Sequence, residues 1–132
     1  IHIVGDRFVF QSEVLFSSGK AELQVEGQQQ IAQLANTLRE ISRKIPAKLN
    51  WVLRVDGHTD DVPLSGSGQF RDNWELSQGR ALSVVRYMTD FLGFPPERLS
   101  ANGFGQYQPI AAGETAAARA ANRRIELKFT ER

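Results

Sequence analysis

The stretch Trp51-Val52-Leu53-Arg54-Val55-Asp56-Gly57-His58-Thr59-Asp60 passes from an apolar alternation directly into polar residues. Trp51, Leu53 and Val55 recur at every second position, which is the period of a β-strand. This pattern predicts a buried strand over residues 49–57 that ends at Gly57. Asp60 follows just beyond that end, where layered folds tend to place their ligand sites. The stretch therefore predicts a central strand and a polar site next to it.

An extended segment and a helix are predicted before this strand. Residues 7–16 are rich in Phe and Val, which is typical of an extended segment. Apolar side chains then recur at three- and four-residue steps over about residues 24–45. This periodicity predicts an amphipathic helix that Pro46 stops.

A second helix is predicted after the loop at residues 61–71, which contains Pro and Gly. Asp72 can cap the first turn, and Glu75 three residues later completes a pattern like a capping box. Gly93, followed by two prolines, ends the helix. Trp74 in the first turn is interpreted as a core residue.

The C-terminal third predicts a strand at residues 98–104, a short helix at 114–121 and a final strand from Arg124 onward. Alternating strands and helices favour an α+β fold, a two-layer α/β sandwich with the order βαβαβ. Clean alternation in the last strand predicts helices on one face of the sheet and solvent on the other. Residues 1–132 are predicted to form a single domain, with residues 1–15 as an N-terminal extension or first-strand region.

The composition excludes several classes of function. The chain has 132 residues, 41% hydrophobic and 23% charged, with a formal net charge of +1, which argues against a nucleic-acid partner. Cysteine is absent, so disulfides, thiolate metal sites and cysteine nucleophiles are excluded. No apolar stretch reaches the ~18 residues of a transmembrane helix. Because the chain begins inside an apolar run, we expect it to be a fragment of a longer protein.

Asp60 and Arg80 are the candidate pair for binding a ligand. A carboxylate can accept charge-assisted hydrogen bonds from an ammonium group, and a guanidinium can hold a carboxylate in two parallel hydrogen bonds. The alternative for Asp60 is a turn residue or the partner of a nearby Arg. The alternatives for Arg80 are a solvated helix residue or an ion pair with Asp60. If both bind ligand, the ligand carries an ammonium and a carboxylate.

Catalysis and metal binding are not indicated. The sequence contains no Gly-x-Ser-x-Gly motif and no Ser-His-Asp arrangement that can be recognised from spacing. His58 and the acids around it invite a metal hypothesis, but no second His lies nearby in sequence. We therefore expect no enzymatic activity, no metal and no cofactor.

Three ordered blocks carry a family resemblance. They are Gly57-His58-Thr59-Asp60, Asn73-Trp74-Glu75-Leu76-Ser77 with Arg80-Ala81, and Ala121-Asn122-Arg123-Arg124-Ile125-Glu126. Together they resemble the OmpA C-terminal-like family of bacterial peptidoglycan-binding domains. The continuation Asp61-Val62-Pro63 and the Trp of the second block resemble the MotB-like branch. The resemblance runs from about Phe16 to the C-terminus and implies a two-layer mixed sheet.

The resemblance also implies a set of ligand-binding residues. Asp60 and Arg80 match the two family positions that bind the diaminopimelate residue of the peptidoglycan stem peptide. Asn73 matches a family Asn, with capping of the helix as the open alternative. Arg124 is expected to support the site in preference to its neighbour. The remaining positions implied to line it are Thr59, Leu76, Phe16 and Ser17.

The function implied is non-covalent anchoring to the cell wall. The resemblance predicts a periplasmic domain of a membrane-anchored protein that binds peptidoglycan through diaminopimelate. The MotB-like branch implies a proton-channel membrane partner, contacted through an upstream segment, and a homodimer. The alternative function is a periplasmic protein–protein interaction domain that does not bind the wall.

Overall fold

The computed structural model describes residues 1–132 as a mixed sheet with helices packed on it, which confirms the predicted α+β class. The strands are β1 (His2–Val4), β2 (Arg7–Gln11), β3 (Trp51–His58), β4 (Leu99–Gly103) and β5 (Arg124–Glu131). The helices are α1 (Ser12–Leu15), α2 (Val25–Arg43), α3 (Asn73–Asp90) and α4 (Ala116–Asn122), with a 3-10 turn at Pro96–Arg98. The five strands lie in the order β1-β2-β5-β3-β4, and only β3 and β4 run parallel.

The core lies between one face of the sheet and helices α2 and α3. Leu53 and Val55 of β3 and Ile125 and Leu127 of β5 are fully buried there, as their alternation predicts. Both helices bury one apolar stripe against this face. The helix residues in the core cluster are Ile31, Leu34, Ala35, Leu38, Ala81, Val84 and Met88.

The N-terminal segment differs from its prediction as a single extended run over residues 7–16. The strand ends at Gln11, and Ser12–Leu15 forms one helical turn, closed by the Phe16 N–H donating to the Ser12 carbonyl. A further short strand, His2–Val4, pairs with β2 and was not predicted. Its three residues are exposed, so no burial alternation marks it in the sequence.

Helix α3 begins where its capping pattern predicts. The Asp72 Oδ1 accepts from the Glu75 N–H at 2.9 Å, and the Glu75 carboxylate accepts from the Arg71 N–H at 2.8 Å. The helix packs tightly on β3 at Gly57, where any Cβ would lie 2.2 Å from the Ser77 carbonyl oxygen. The Gly of the first block and the Ser of the second are therefore neighbours that set the position of α3 over the sheet.

The other face of the sheet is polar, as predicted, but part of it is buried rather than solvated. Asp56 and Glu126 are directly opposite each other in β3 and β5 and are both nearly inaccessible. Arg54 and Asn102 satisfy Asp56 at 2.9 and 3.0 Å, and Arg124 satisfies Glu126 at 2.6 Å. Each of the two like charges is thereby offset by a neighbour, which makes the facing arrangement tolerable.

Candidate functional site

A cavity of about 530 Å³ lies beyond the end of β3, within the size range of ligand pockets. It is bounded by α1 and the turn that follows it, by α3, and by the loop after Asp60. Most of its lining residues are polar or charged. The lining residues are Ser12, Glu13, Phe16, Ser18, Gly19, Thr59, Asp60, Val62, Pro63, Leu64, Ser65, Asn73, Leu76, Arg80 and Arg123.

Asp60 contributes a carboxylate that is held from two sides. Its Oδ2 lies 2.8 Å from Arg123 Nη1, and its Oδ1 accepts from the Val62 N–H at 3.1 Å. The side chain keeps 13% of its surface exposed, toward the cavity that it lines. An ionised carboxylate offers about four acceptor positions, so further donors can still bind it.

Arg80 contributes a guanidinium that is anchored on one side only. Its Nε donates to the Lys20 carbonyl at 2.8 Å, and its Nη2 donates to the Ser17 carbonyl at 3.1 Å. The guanidinium carbon lies 5.1 Å from the centre of the Phe16 ring. Nη1 makes no hydrogen bond within the chain, so this end of the guanidinium can still donate hydrogen bonds to a ligand. Burial lowers the pKa of Arg80 to about 10, opposed by Glu13 and Asp60, and the group stays cationic at neutral pH.

Asp60 and Arg80 therefore do not form the ion pair that the sequence left open. Asp60 pairs with Arg123, and Arg80 bonds to backbone carbonyls. The charged side chains lining the cavity are two carboxylates, from Glu13 and Asp60, and two guanidiniums, from Arg80 and Arg123. These four charges balance, so the cavity matches a ligand that carries both signs and no net charge.

Asn73 ties the loop after Asp60 to helix α3. Its Nδ2 donates to the Val62 carbonyl at 3.1 Å and to Gln106 Oε1 at 3.2 Å. Asp72 caps the helix, so capping is not the role of Asn73. Thr59 and Leu76 are buried residues of the cavity wall, and their contact with a ligand stays a prediction.

Phe16 lines the cavity, whereas Ser17 does not. The Ser17 carbonyl instead anchors Arg80, and its hydroxyl accepts from Gln24 Nε2 at 2.9 Å. Ser17 is thus brought next to the site through its backbone, with its neighbours Ser18 and Gly19 on the cavity wall.

Arg124 was predicted to support the site in preference to Arg123, but the structure shows the reverse. Arg124 does not line the cavity; it is buried in β5, where it pairs with Glu126 and donates to the Gln108 carbonyl. Arg123 lies in the cavity wall and bridges Asp60 and Glu13. The hydrogen bond to Asp60, followed by that to Glu13, raises the pKa of Arg123.

Glu13 and Arg123 are therefore the charged residues of the site that sequence reasoning missed. Arg123 precedes β5 as the residue after the end of α4, so strand alternation does not set its direction. Glu13 lies in the helical turn α1, which was expected to be extended. The pair of adjacent arginines was the sequence feature that pointed to Arg123. No sequence feature pointed to Glu13.

His58 lies outside the cavity and stacks on Phe104, with ring centres 5.1 Å apart. Burial, reinforced by the positive charge of Arg124, lowers the pKa of His58 to about 4.

No group of three or more His, Cys, Asp and Glu side chains is arranged to hold a metal ion. None of the helices combines the length and apolar character needed to cross a membrane.

Trp74 is half-exposed, which corrects its interpretation as a core residue. It stacks on Tyr107 at a ring-centre distance of 4.9 Å.

Asp61, just past the cavity, pairs with Arg119 of α4 at 2.9 Å, and this hydrogen bond lowers the pKa of Asp61.

The fold and the cavity define a two-layer α+β domain with a charge-balanced polar pocket at the end of its central strand. Residues 15–123 match the OmpA family, and the chain belongs to that family. It is 31% identical over 122 residues to motility protein B of Bacillus subtilis, covering 92% of this chain and 44% of that protein. The chain spans about half the length of the curated relatives it matches.

Solved structures place it among MotB-like domains. A MotB-like protein from Desulfovibrio vulgaris matches with a TM-score of 0.81 and 34% identity, covering 96% of this chain and 75% of that chain. The cell wall anchor of the type VI secretion system from Pseudomonas aeruginosa matches with a TM-score of 0.75 and 27% identity, covering 95% of this chain and 80% of that chain. The predicted relationship to the OmpA and MotB-like proteins is confirmed.

Proposed function

We propose that this chain is a non-catalytic periplasmic domain that binds peptidoglycan through the diaminopimelate residue of the stem peptide. It would anchor a membrane protein to the cell wall. Membership of the OmpA family and similarity to a cell wall anchor support the general role. The observation that carries the specific ligand is the separation of Asp60 from Arg80, because each keeps hydrogen-bonding capacity for a ligand.

The chemistry of diaminopimelate fits this arrangement. Its side chain ends in an ammonium and a carboxylate on one carbon, whereas lysine carries the ammonium alone. The Asp60 carboxylate would accept from the ammonium, and the Nη1 end of Arg80 would donate to the carboxylate in the forked manner of guanidinium pairs. Lysine would leave the Arg80 fork without its partner, and an unpaired buried charge is costly.

Anchoring would come from many weak contacts. One stem peptide is a small ligand held only by hydrogen bonds and charge, so we expect modest affinity at a single site. Several copies of the domain on one wall polymer would bind more tightly, because the first contact raises the effective concentration of the polymer for the others. The proposal extends to the whole protein, which would be membrane-anchored and have a proton-channel partner, as the MotB-like resemblance of the sequence implies.

The test is sedimentation of the purified domain with insoluble peptidoglycan of the diaminopimelate type and of the lysine type. The proposal expects the domain to sediment with the first wall only and Asp60→Asn to remain in solution. Binding to neither wall, with the protein folded by circular dichroism, would support the alternative of a protein–protein interaction domain. Equal binding to both walls would exclude recognition through the diaminopimelate carboxylate.

A further inference from the structure

The end of the molecule opposite the cavity has a different charge character. Helices α2 and α3 both end there, at Arg43 and Asp90, and β3 begins there at Trp51. Because a strand rises about 3.3 Å per residue, the eight residues of β3 separate this end from the cavity by roughly 26 Å. The segment 43–50, which closes α2 and leads into β3, is called the basic loop below.

The basic loop is rich in cations that no acid neutralises. Arg43, Lys44 and Lys48 are exposed, and the segment contains no Asp or Glu. Arg132 lies beside them, since its N–H donates to the Asn50 carbonyl at 2.6 Å. None of these four cations forms a salt bridge. The dipole of α2 explains a cation at Arg43 or Lys44, but not at Lys48 or Arg132.

One guanidinium holds the backbone of the basic loop in place. Arg98 Nη1 donates to the Leu49 and Trp51 carbonyls at 3.2 and 2.9 Å. Its Nη2 donates to the Ala47 carbonyl at 3.2 Å, and its guanidinium carbon lies 4.5 Å from the centre of the Trp51 ring. Arg98 is therefore engaged within the protein, and the loop presents its own side chains from a preorganised backbone.

Apolar side chains accompany the cations. Leu49 in the basic loop is 40% exposed, and Phe91, just after α3, is 76% exposed. Arg39 joins the ends of the two helices through its hydrogen bond to the Leu92 carbonyl. Cations beside exposed apolar groups match the surface of an anionic bilayer, where Lys and Arg reach the headgroups and apolar side chains enter the acyl boundary. A soluble polyanion would engage the cations alone.

The net charge of this end is positive but small. Six basic residues stand against four acidic ones. The basic residues are Arg39, Arg43, Lys44, Lys48, Arg98 and Arg132, and the acidic residues are Glu40, Asp90, Glu97 and Glu131. Such an excess gives a weak and reversible attraction, because stable attachment to a bilayer takes more than one signal. Reversible contact suits a domain that must leave a membrane to reach a wall.

We propose that the basic loop and Phe91 form a docking surface for a bilayer that contains anionic phospholipid. The cavity, at the opposite end of β3, would then point away from the bilayer. The presence of a membrane nearby rests on the proposed function, whereas the contact with lipid does not require wall binding.

The test is sedimentation of the purified domain with phosphatidylcholine vesicles, prepared with and without phosphatidylglycerol. At low ionic strength we expect sedimentation with the anionic vesicles only, and release as salt is added, because salt screens surface charges. Lys44→Gln/Lys48→Gln should lower the partition coefficient at least about tenfold. Leu49→Ser/Phe91→Ser should lower it at least about fivefold. No sedimentation of wild type, or equal sedimentation of wild type and Lys44→Gln/Lys48→Gln, would overturn the proposal.

A matched control removes the same charge elsewhere on the surface. Arg71, just before α3, has an 82% exposed side chain beside Asp72 and Glu75. Lys128 lies in β5 beside Asp6. Arg71→Gln/Lys128→Gln should sediment with anionic vesicles as wild type does. An equal loss in this variant and in Lys44→Gln/Lys48→Gln would show that net charge alone governs binding, and would count against a defined surface.

The orientation on the bilayer has its own readout. The chain has two tryptophans, so in Trp51→Phe the emission comes from Trp74 alone, at the start of α3 near the cavity. We expect acrylamide to quench this emission equally with and without anionic vesicles. Shielding of Trp74 by the vesicles would contradict docking through the basic loop.

The variant Asp60→Asn separates this proposal from the proposed function. It should bind anionic vesicles as wild type does, because Asp60 lies at the other end of the molecule. Vesicle binding by a wild-type domain that fails to bind peptidoglycan would retain the docking surface and reject the wall site. Peptidoglycan binding by a domain that fails to bind vesicles would reject the docking surface alone.

Discussion

Arg123 donates a 2.8 Å hydrogen bond from Nη1 to the Asp60 Oδ2, and its Nε contacts Glu13. The guanidinium thereby connects the end of α4, the loop after β3 and helix α1, three segments that are distant in sequence. Because Arg123 supplies this contact, Arg80 is not engaged by Asp60 and keeps its outer donors. We infer that Asp60 and Arg80 can each bind one charge of a zwitterionic group because Arg123, and not Arg80, pairs with Asp60.

Replacing Arg123 by Ala should weaken binding more than folding. The side chain is one-third exposed, and pairs of this kind contribute at most about 1 kcal/mol to stability. Loss of the contact that orients Asp60 should reduce the affinity for the diaminopimelate peptide about tenfold, the scale of one hydrogen bond to a charged group. Titration calorimetry and urea unfolding measure the two effects. Unchanged affinity would mean that Asp60 keeps its position without Arg123.

Replacing Arg124 by Ala should weaken folding more than binding. Arg124 and Glu126 are both almost wholly buried, and removing Arg124 leaves Glu126 with only the half-exposed Arg7 as a full positive charge nearby. We expect a loss of about 3–5 kcal/mol in the free energy of unfolding. The double variant Arg124→Met/Glu126→Leu should recover much of that loss. A single variant as stable as wild type would show that Glu126 is satisfied by Arg7 alone, 3.5 Å away.

Arg80→Lys should bind poorly although the charge is retained. A lysine ammonium cannot bond to the Ser17 and Lys20 carbonyls and still present a planar fork to a carboxylate. We expect at least a tenfold loss of affinity and faster hydrogen exchange of the backbone at residues 17–21. Arg86→Lys, at an exposed position on the same helix, is the control and should change neither quantity. Full binding by Arg80→Lys would show that charge alone suffices.

Sequence patterns located four of the five strands and the long helices, because each depends on local signals, whereas the family resemblance supplied six of the fifteen residues that line the cavity. The alternation in β5 and the cap at Asp72 are visible in a few consecutive residues. The roles of Arg123 and Arg124 were not visible, because Arg123 lies between α4 and β5 and follows neither period. The partners of Arg80 are backbone carbonyls, which every residue has, so no residue type could reveal them.

The buried His58 should make stability depend on pH in the acidic range. Its pKa is lowered to about 4, below the ordinary 6.5, mainly by burial. As pH falls below about 6.5 the unfolded chain takes up a proton that the folded chain does not, so stability is lost progressively until about pH 4. The full effect is on the order of 3 kcal/mol. Urea unfolding between pH 7 and 4 measures it.

The second histidine provides the control for this titration. His2 is exposed at the edge of the sheet. His58→Phe, which can keep the stack on Phe104, should lose less stability than wild type between pH 7 and 4. His2→Gln should follow wild type. Identical pH profiles for wild type and His58→Phe would show that His58 is not responsible.

The central claim is that Asp60 and Arg80 bind the two charged groups at the end of a diaminopimelate side chain. Titration of the domain with two stem peptides, identical except for diaminopimelate or lysine at the third position, tests it most directly. We expect wild type to bind the diaminopimelate peptide at least tenfold more tightly, and Asp60→Asn to lose that binding while remaining folded. Equal affinity for the two peptides, or full binding by Asp60→Asn, would contradict the claim.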